Sequence, residues 1–275
     1  MLDSLIKARD KWLKPDVGLM FPSHTTMYLA PIADEQERLA CRGEMSGAMG
    51  DWINFVRSTQ ETYGVSMDCL TNNFERESKE YYMLSSRWSE LMPEAVLAEP
   101  VPLKVFDMAT CTLEESKGFL PGQGIKFEFE VDGDSSTRKQ SVGAMDDGGK
   151  GDRGQQSTHP AVISGFAGWF TADFKSRTDP AGKDLAPKLK NPILLTTGPE
   201  GGYTHWGQQS FFLDAQIPLI AGEVTTVGGN IELARSEDNA RMYNAKITHK
   251  TERKNKNSGV KLYESSDKVT IWQIP

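Results

Sequence analysis

Cysteine is scarce in this chain of 275 residues, and its placement excludes two frameworks. Cys41, Cys69 and Cys111 are an odd number, stand far apart and form no CxxC pair. A disulfide scaffold needs paired cysteines and a structural zinc site needs clustered ones, so the thiols are read as reduced, in the nucleus or the cytoplasm. Long apolar runs are missing as well: none approaches the ~18 residues of a membrane span. The opening MLDSLIKARDKWL has no signal-peptide core, and its Asp3 and Asp10 are atypical of a transit peptide. No membrane partner is expected. No G-x-G-x-x-G follows a strand, no P-loop occurs and strands do not alternate with helices, so no nucleotide or dinucleotide fold is expected from these residues. An excess of positive charge is absent too: 31 Lys+Arg face 38 Asp+Glu, a formal net charge of −7. Direct nucleic-acid binding, which runs on phosphate neutralisation, is therefore not expected. An acidic surface suits a basic partner, although net charge speaks first to solubility.

What is present suffices for a core in one large domain or two small ones: 38% hydrophobic residues, with six Trp and twelve Phe. Residues 2–13 predict a helix, because Leu2, Leu5 or Ile6, and Leu13 with Trp12 recur on one face, and Pro15 and Gly18 end it. Two short strands are expected at Val17–Phe21 and Thr26–Ala30, split by Pro22-Ser23. Asp34 offers an N-cap with Glu37 in the capping-box position, and the helix it opens carries Met45, Met49, Trp52 or Ile53, and Val56. Gly43, Gly47 and Gly50 weaken that helix by roughly 1 kcal/mol each relative to Ala. It must lean on a surface, either of its own domain or of another subunit.

From Val101 the period changes. Val101, Leu103 and Val105 alternate, and Ile125, Phe127, Phe129 and Val131 alternate with Lys126, Glu128 and Glu130. Further strands are expected at Ile163–Phe174, Pro192–Thr197, Gln208–Asp214, Gly222–Thr226, Asn230–Ala234, Met242–Thr248, Val260–Glu264 and Lys268–Ile274. Many short strands with little helix between them predict a mainly β fold, an antiparallel barrel or sandwich. Residues 132–160, rich in Gly, Asp and Ser, read as a long disordered insertion in a hairpin.

Four histidines occur: His24, His159, His205 and His249. An isolated histidine is most often a surface or satisfied core residue. His205 differs by its setting: Gly198-Pro199 and Gly201-Gly202 build a tight loop between two strands, Tyr203 and Trp206 flank it, and sites gather on such loops. A Trp face holds a guanidinium by a cation–π contact of about 0.5–2 kcal/mol, and an imidazole orients a carboxylate. A plain strand connection whose Trp caps the core competes with that reading. Asp132/Asp134 and Asp146/Asp147 are paired carboxylates. General acid–base work needs geometry fixed to within about 3 Å, so in a flexible insertion they read as solvating charge. The basic run HKTERKNKNSGVK, His249 to Lys261, lacks interleaved aromatics and reads as an exposed hairpin turn.

Taken together these stretches resemble one family. MLDSLIKARDKWLKPDVGLMFP, TMYLAPIADEQ, the pattern from Trp52 to the YGVSMDC that ends at Cys69, GFAGWFTADF (165–174), ILLTTGPEGGYTHWGQQSFFL (193–213) and NIELARSEDNARMYNAKI are similar to the protein arginine N-methyltransferases. THW, residues 204–206, is the specific signature. The resemblance runs from residue 1 to about 250, outside the insertion, and is greatest to the type I enzymes, the sixth human paralogue above all.

The resemblance implies an S-adenosyl-L-methionine-binding Rossmann domain followed by a β-barrel, with a helical dimerisation arm at residues 33–75. It implies that residues 1–14 are a helix following a Rossmann domain missing from this sequence, and that residues 15–275 are the barrel domain. The cofactor site and the two glutamates that hold the substrate guanidinium would then lie upstream, and no cofactor-binding or metal-binding residue is expected here. His205 carries over as the THW histidine, which supports the active site through a carboxylate in the other part. Trp206 carries over as a wall of the arginine site, Thr204 as the anchor of the loop, and Met1 as the active-site methionine. Where the family has Lys after THW this chain has Gly207, which removes a surface charge. The reading that follows is the C-terminal, substrate-binding part of an S-adenosyl-L-methionine-dependent arginine methyltransferase. It would act on histone tails or Arg/Gly-rich segments as a homo- or heterodimer, and be inactive as this chain alone. The alternative is a non-catalytic barrel-and-arm module that binds and modulates a full-length arginine methyltransferase.

Overall fold

The alternating stretches of the chain fold into antiparallel strands in this computed structural model, which describes all residues except 1, 15–17, 120–123, 135–161, 178–182, 184–187 and 240. In chain order the elements are α1 (Leu2–Trp12), β1 (His24–Ile32), α2 (Glu35–Tyr63), α3 (Thr71–Met83), β2 (Arg87–Ser89), β3 (Val101–Asp107), β4 (Ile125–Asp132) and β5 (Val162–Phe174). They continue with β6 (Ile193–Thr196), β7 (Gln208–Pro218), β8 (Glu223–Arg235), β9 (Tyr243–Asn255), β10 (Lys261–Glu264) and β11 (Lys268–Ile274). One sheet runs β2-β7-β5-β1-β3 with β6 also on β5, and the other runs β10-β9-β8-β4 with β11 also on β9.

The facing sides of the two sheets share one core. Phe127, Phe129 and Val131 of β4 meet Phe166 of β5, Phe211 of β7, Ile247 of β9 and Trp272 of β11. Each such side chain contributes about 1.5–3 kcal/mol on burial, and GIKFEFEV supplies its three from every second residue, as expected. This is the mainly β antiparallel sandwich foreseen from the strand pattern. β5 is apolar on both faces: Phe166 faces the core, while Ala167 and Trp169 pack behind the sheet with Cys41 of α2 and Leu91.

Asp34 caps α2 as its spacing predicts, its carboxylate accepting the Glu37 N–H at 3.2 Å. Arg38 rivets the first turn to β7, bonding Glu35 and the carbonyls of Leu213 and Asp214. Beyond Cys41 no residue of α2 is buried, and its neighbour is α3. Trp52 stacks on Phe74 at 4.5 Å and donates to Thr71 Oγ1 at 3.0 Å. The helix pair therefore runs past residue 75, to Met83. A Cβ added at Gly43, Gly47 or Gly50 would meet nothing within 4 Å.

Several local expectations are corrected. Among the described residues of Val17–Phe21 no strand forms: Gly18–Met20 are irregular, with the Gly18 N–H closed onto the Lys14 carbonyl at 2.9 Å, and Val17 lies outside the described residues. Trp12 leaves the apolar face of α1 and is 70% exposed beside the Lys11 ammonium, while Ile6 docks the helix against Phe106, Met108 and Cys111. Asp3 then ties α1 to the β8 end, taking two hydrogen bonds from Arg235 at 2.8 and 2.9 Å. Val105 is exposed because the β1–β3 register shifts at Met27/Tyr28, which brings Phe106 inside instead. β8 is one continuous strand across Val227–Gly229, held by an unbroken ladder to β9. The basic run turns only at 256–260: β9 continues to Asn255, and His249 and Thr251 are buried on its inner side. Asp132 and Asp134 are not loose charge either, since both pair with Lys256, at 2.5 and 3.1 Å. The rest of the expected insertion, with Asp146, Asp147 and His159, lies outside the described residues.

Candidate functional site

β6 and β7 pair with the same edge of β5, β7 along Val162–Gly168 and β6 along Thr171–Phe174. The chain between them must therefore leave the sheet beside Trp169 and Phe170 and return to it. Thr197 fixes the departure. Its N–H and its hydroxyl both donate to the Phe170 carbonyl, at 3.0 and 2.9 Å, and its hydroxyl accepts the Phe170 N–H at 3.1 Å. Gln208 fixes the return: its buried amide donates to the Thr197 carbonyl at 2.7 Å and accepts the Leu91 N–H at 2.8 Å. Both ends are desolvated and satisfied, which is the condition for a rigid base.

Between these ends Pro199–Gly201 make one 3-10 turn. Thr204–Gly207 then close a tight turn, Gly207 N–H to Thr204 carbonyl at 3.0 Å, with His205 and Trp206 at its corners. Gly207 has φ +53°, the left-handed region that favours glycine, and a Cβ there would lie 2.6 Å from the Ser89 carbonyl oxygen. Trp206 stands edge-on to Phe170 at 5.9 Å and beside the His205 imidazole at 4.2 Å. At 42% exposure Trp206 presents ring surface to solvent and does not cap the core, and Tyr203 is 68% exposed next to it.

Thr204, His205 and Trp206, the residues expected to form the site, thus share one turn. Thr204 holds that turn by its carbonyl, while its hydroxyl is buried with no hydrogen-bond partner among the described residues. Among those residues no carboxylate pairs with the His205 ring either. Met1 lies outside the described residues. One contact was not visible in the sequence: the Trp88 indole N–H donates to the Trp206 carbonyl at 2.9 Å, across 118 positions. β2, which carries Trp88, has only three residues, too few for any periodic signal.

The described residues do not fit S-adenosyl-L-methionine. The strand ladders are antiparallel, and among the described residues no glycine-rich turn leads from a strand into the N-terminus of a helix.

An antiparallel sandwich, a projecting helix pair and an exposed THW turn define a class. Residues 23–254 match the family model described as the arginine methyltransferase oligomerization subdomain. Protein arginine N-methyltransferase PRMT10 of Arabidopsis thaliana is 33% identical over 248 residues, which cover 88% of this chain and 53% of that protein. Protein arginine N-methyltransferase 6 of Xenopus laevis is 29% identical over 251 residues, 90% of this chain and 55% of that protein. The crystal structure of the Arabidopsis thaliana protein arginine methyltransferase 10 superposes with a TM-score of 0.73 at 29% identity, over 99% of this chain and 65% of that one. The Trypanosoma brucei PRMT1 enzyme–prozyme complex shares the fold, with a TM-score of 0.55 at 16% identity, over 100% of this chain and 63% of that one. The chain belongs to the protein arginine N-methyltransferase family. It spans about half the length of the curated relatives it matches.

Proposed function

We propose that this chain is the C-terminal, substrate-binding part of a type I, S-adenosyl-L-methionine-dependent protein arginine N-methyltransferase, and that the Thr204–Trp206 turn lines the site of the substrate arginine. The observation that carries the reading is the turn itself: an exposed Trp ring beside an imidazole, on a loop fastened at both ends, in a chain of this family. A guanidinium is planar and cationic and stacks on an indole face. The His205 imidazole is the group that would orient a carboxylate toward it. Guanidine is a poor nucleophile while its charge is delocalised, so carboxylates must hold it before its nitrogen attacks the methyl carbon. Those carboxylates and the methyl donor belong, in this reading, to a part outside the chain, because the described residues do not fit the donor and the relatives are about twice as long. The net charge of −7 suits basic substrates, histone tails or Arg/Gly-rich segments, in the nucleus or cytoplasm. The arm begun at residue 33 docks on a second methyltransferase subunit, in a homo- or heterodimer. Its exposed Ile53 and Phe55 and the open glycine positions of α2 support this.

Labelled-methyl transfer to an Arg/Gly-rich peptide tests the reading, on a full-length protein carrying this chain and on the chain alone. Transfer by the full-length protein is expected, with at least a tenfold loss on Trp206→Ala, the scale of one lost cation–π contact. The chain alone is expected to transfer nothing and to give no heat with S-adenosyl-L-methionine. Unaided transfer by the chain refutes the division of labour, and an unaffected Trp206→Ala enzyme refutes the site.

A further inference from the structure

We infer that Trp88 is a positioning residue for the arginine turn, acting through the carbonyl of Trp206, and that residue 207 is glycine so that Trp88 can reach it. The inference rests on the arginine-site reading above.

The peptide plane between residues 206 and 207 is held at one end by the Gly207 N–H to Thr204 carbonyl bond, at 3.0 Å. The Trp88 N–H holds its other end, donating to the Trp206 carbonyl at 2.9 Å. The plane joins the Trp206 Cα, so losing the second anchor lets it tilt and changes the direction of the indole. Gly207 makes the approach possible because its missing side chain leaves room: a Cβ would lie 2.6 Å from Trp88 Nε1 and 2.7 Å from Trp88 Cε2. Trp88 and Gly207 together fill a space that a side chain at 207 would claim.

Trp88 is poorly explained as a core residue, for it is 51% exposed. The strand that bears it is held without its ring: Ser86 Oγ donates to Gln209 Oε1 at 2.8 Å and Ser89 Oγ to Ser210 Oγ at 2.8 Å. Removing the indole N–H should therefore loosen the turn and spare the sandwich. One neutral hydrogen bond of this kind is worth roughly two- to tenfold in an equilibrium.

The test is Trp88→Phe, which keeps an aromatic ring and deletes the donor, with Gly207→Ala as a second variant that expels the ring. Both are made in the full-length enzyme, with Arg/Gly-rich peptide as substrate. Expected for each is amide exchange at residues 204–207 faster by roughly three- to tenfold; Trp88→Phe should melt within about 2 °C of wild type, whereas Gly207→Ala, whose Cβ also meets the Ser89 carbonyl oxygen at a left-handed φ, should melt lower. The fall in kcat/KM should be of the same size and carried mainly by KM, as for a lost binding wall. A Trp88→Phe enzyme matching wild type in exchange and in KM overturns the inference. So does a Trp88→Phe enzyme that melts well below wild type with exchange raised along all of β7, because Trp88 is then only structural. Wild-type enzyme that transfers nothing to arginine removes the underlying reading, and the positioning role with it. An active wild type with an unaffected Trp88→Phe removes the positioning role alone.

Discussion

Replacing Gly43, Gly47 and Gly50 together by alanine separates a helix that merely projects into water from one built to receive a second subunit. The three glycines recur on one face of α2 with Leu39 and Ile53, which are 52% and 58% exposed. Within the chain a methyl at any of them meets nothing within 4 Å, so no clash offsets the gain in propensity. Each substitution should stabilise the helix by about 0.8–1 kcal/mol, and the three by about 2.5–3 kcal/mol, if that face stays in solvent. Against a partner packed onto the glycines, each added methyl instead costs about 1–3 kcal/mol of overpacking. The two effects appear in different measurements. Circular dichroism at dilute, monomeric concentration should show a higher melting temperature for the triple variant. Sedimentation equilibrium of the full-length protein should show a dimer Kd raised at least tenfold, equivalent to about 1.4 kcal/mol. A raised melting temperature with an unchanged or tighter Kd would refute the reasoning, since the glycine face would then be solvated in the assembly as well.

Two further outcomes follow from the charge network. Arg235 and Ser116 together hold the Asp3 carboxyl well below the usual carboxylate range, Arg235 foremost. A depressed carboxylate contributes stability above its unfolded pKa of about 3.9 and loses it as pH falls. Asp3→Ala should cost about 1–2 kcal/mol in urea unfolding at pH 7, discounted for a pair roughly a quarter exposed, and progressively less below about pH 4. A cost that does not change with pH would contradict this. His249 is the opposite case. Burial, aided by Lys268 across on β11, pushes its pKa down to about 4. A histidine lowered from about 6.5 leaves the unfolded chain binding more protons, so stability is complete above about pH 6.5 and declines toward pH 4, by about 3 kcal/mol at most. His249→Gln should flatten that decline in pH-dependent melting; an unaltered slope would assign it to other groups.

The sandwich was legible where side chains alternate over several residues, as in Phe127, Phe129 and Val131. The Asp34 cap was legible because its signal is local. The THW turn was legible from its glycines and aromatics and from the family resemblance. What escaped depends on neighbours distant in sequence. Val105 turns outward because Leu103 is an extra residue opposite the Met27–Tyr28 step of β1, an irregularity that only the pairing reveals. Gly228 and Gly229 resemble a break, yet β4 and β9 pair along both sides of β8 and carry the strand through. His249 sits in a run of charge, but it and Thr251 face inward from the alternating positions at the start of that run. Trp88 acts through a single long-range hydrogen bond, which leaves no periodic trace.

The shared edge of β5 has one more consequence. Because β6 and β7 grip the same strand end to end, lengthening the excursion between them separates no partners. Doubling such a flexible link costs only about 0.6 kcal/mol of closure entropy. The turn can therefore change size and sequence while the scaffold below keeps every rung of its ladder.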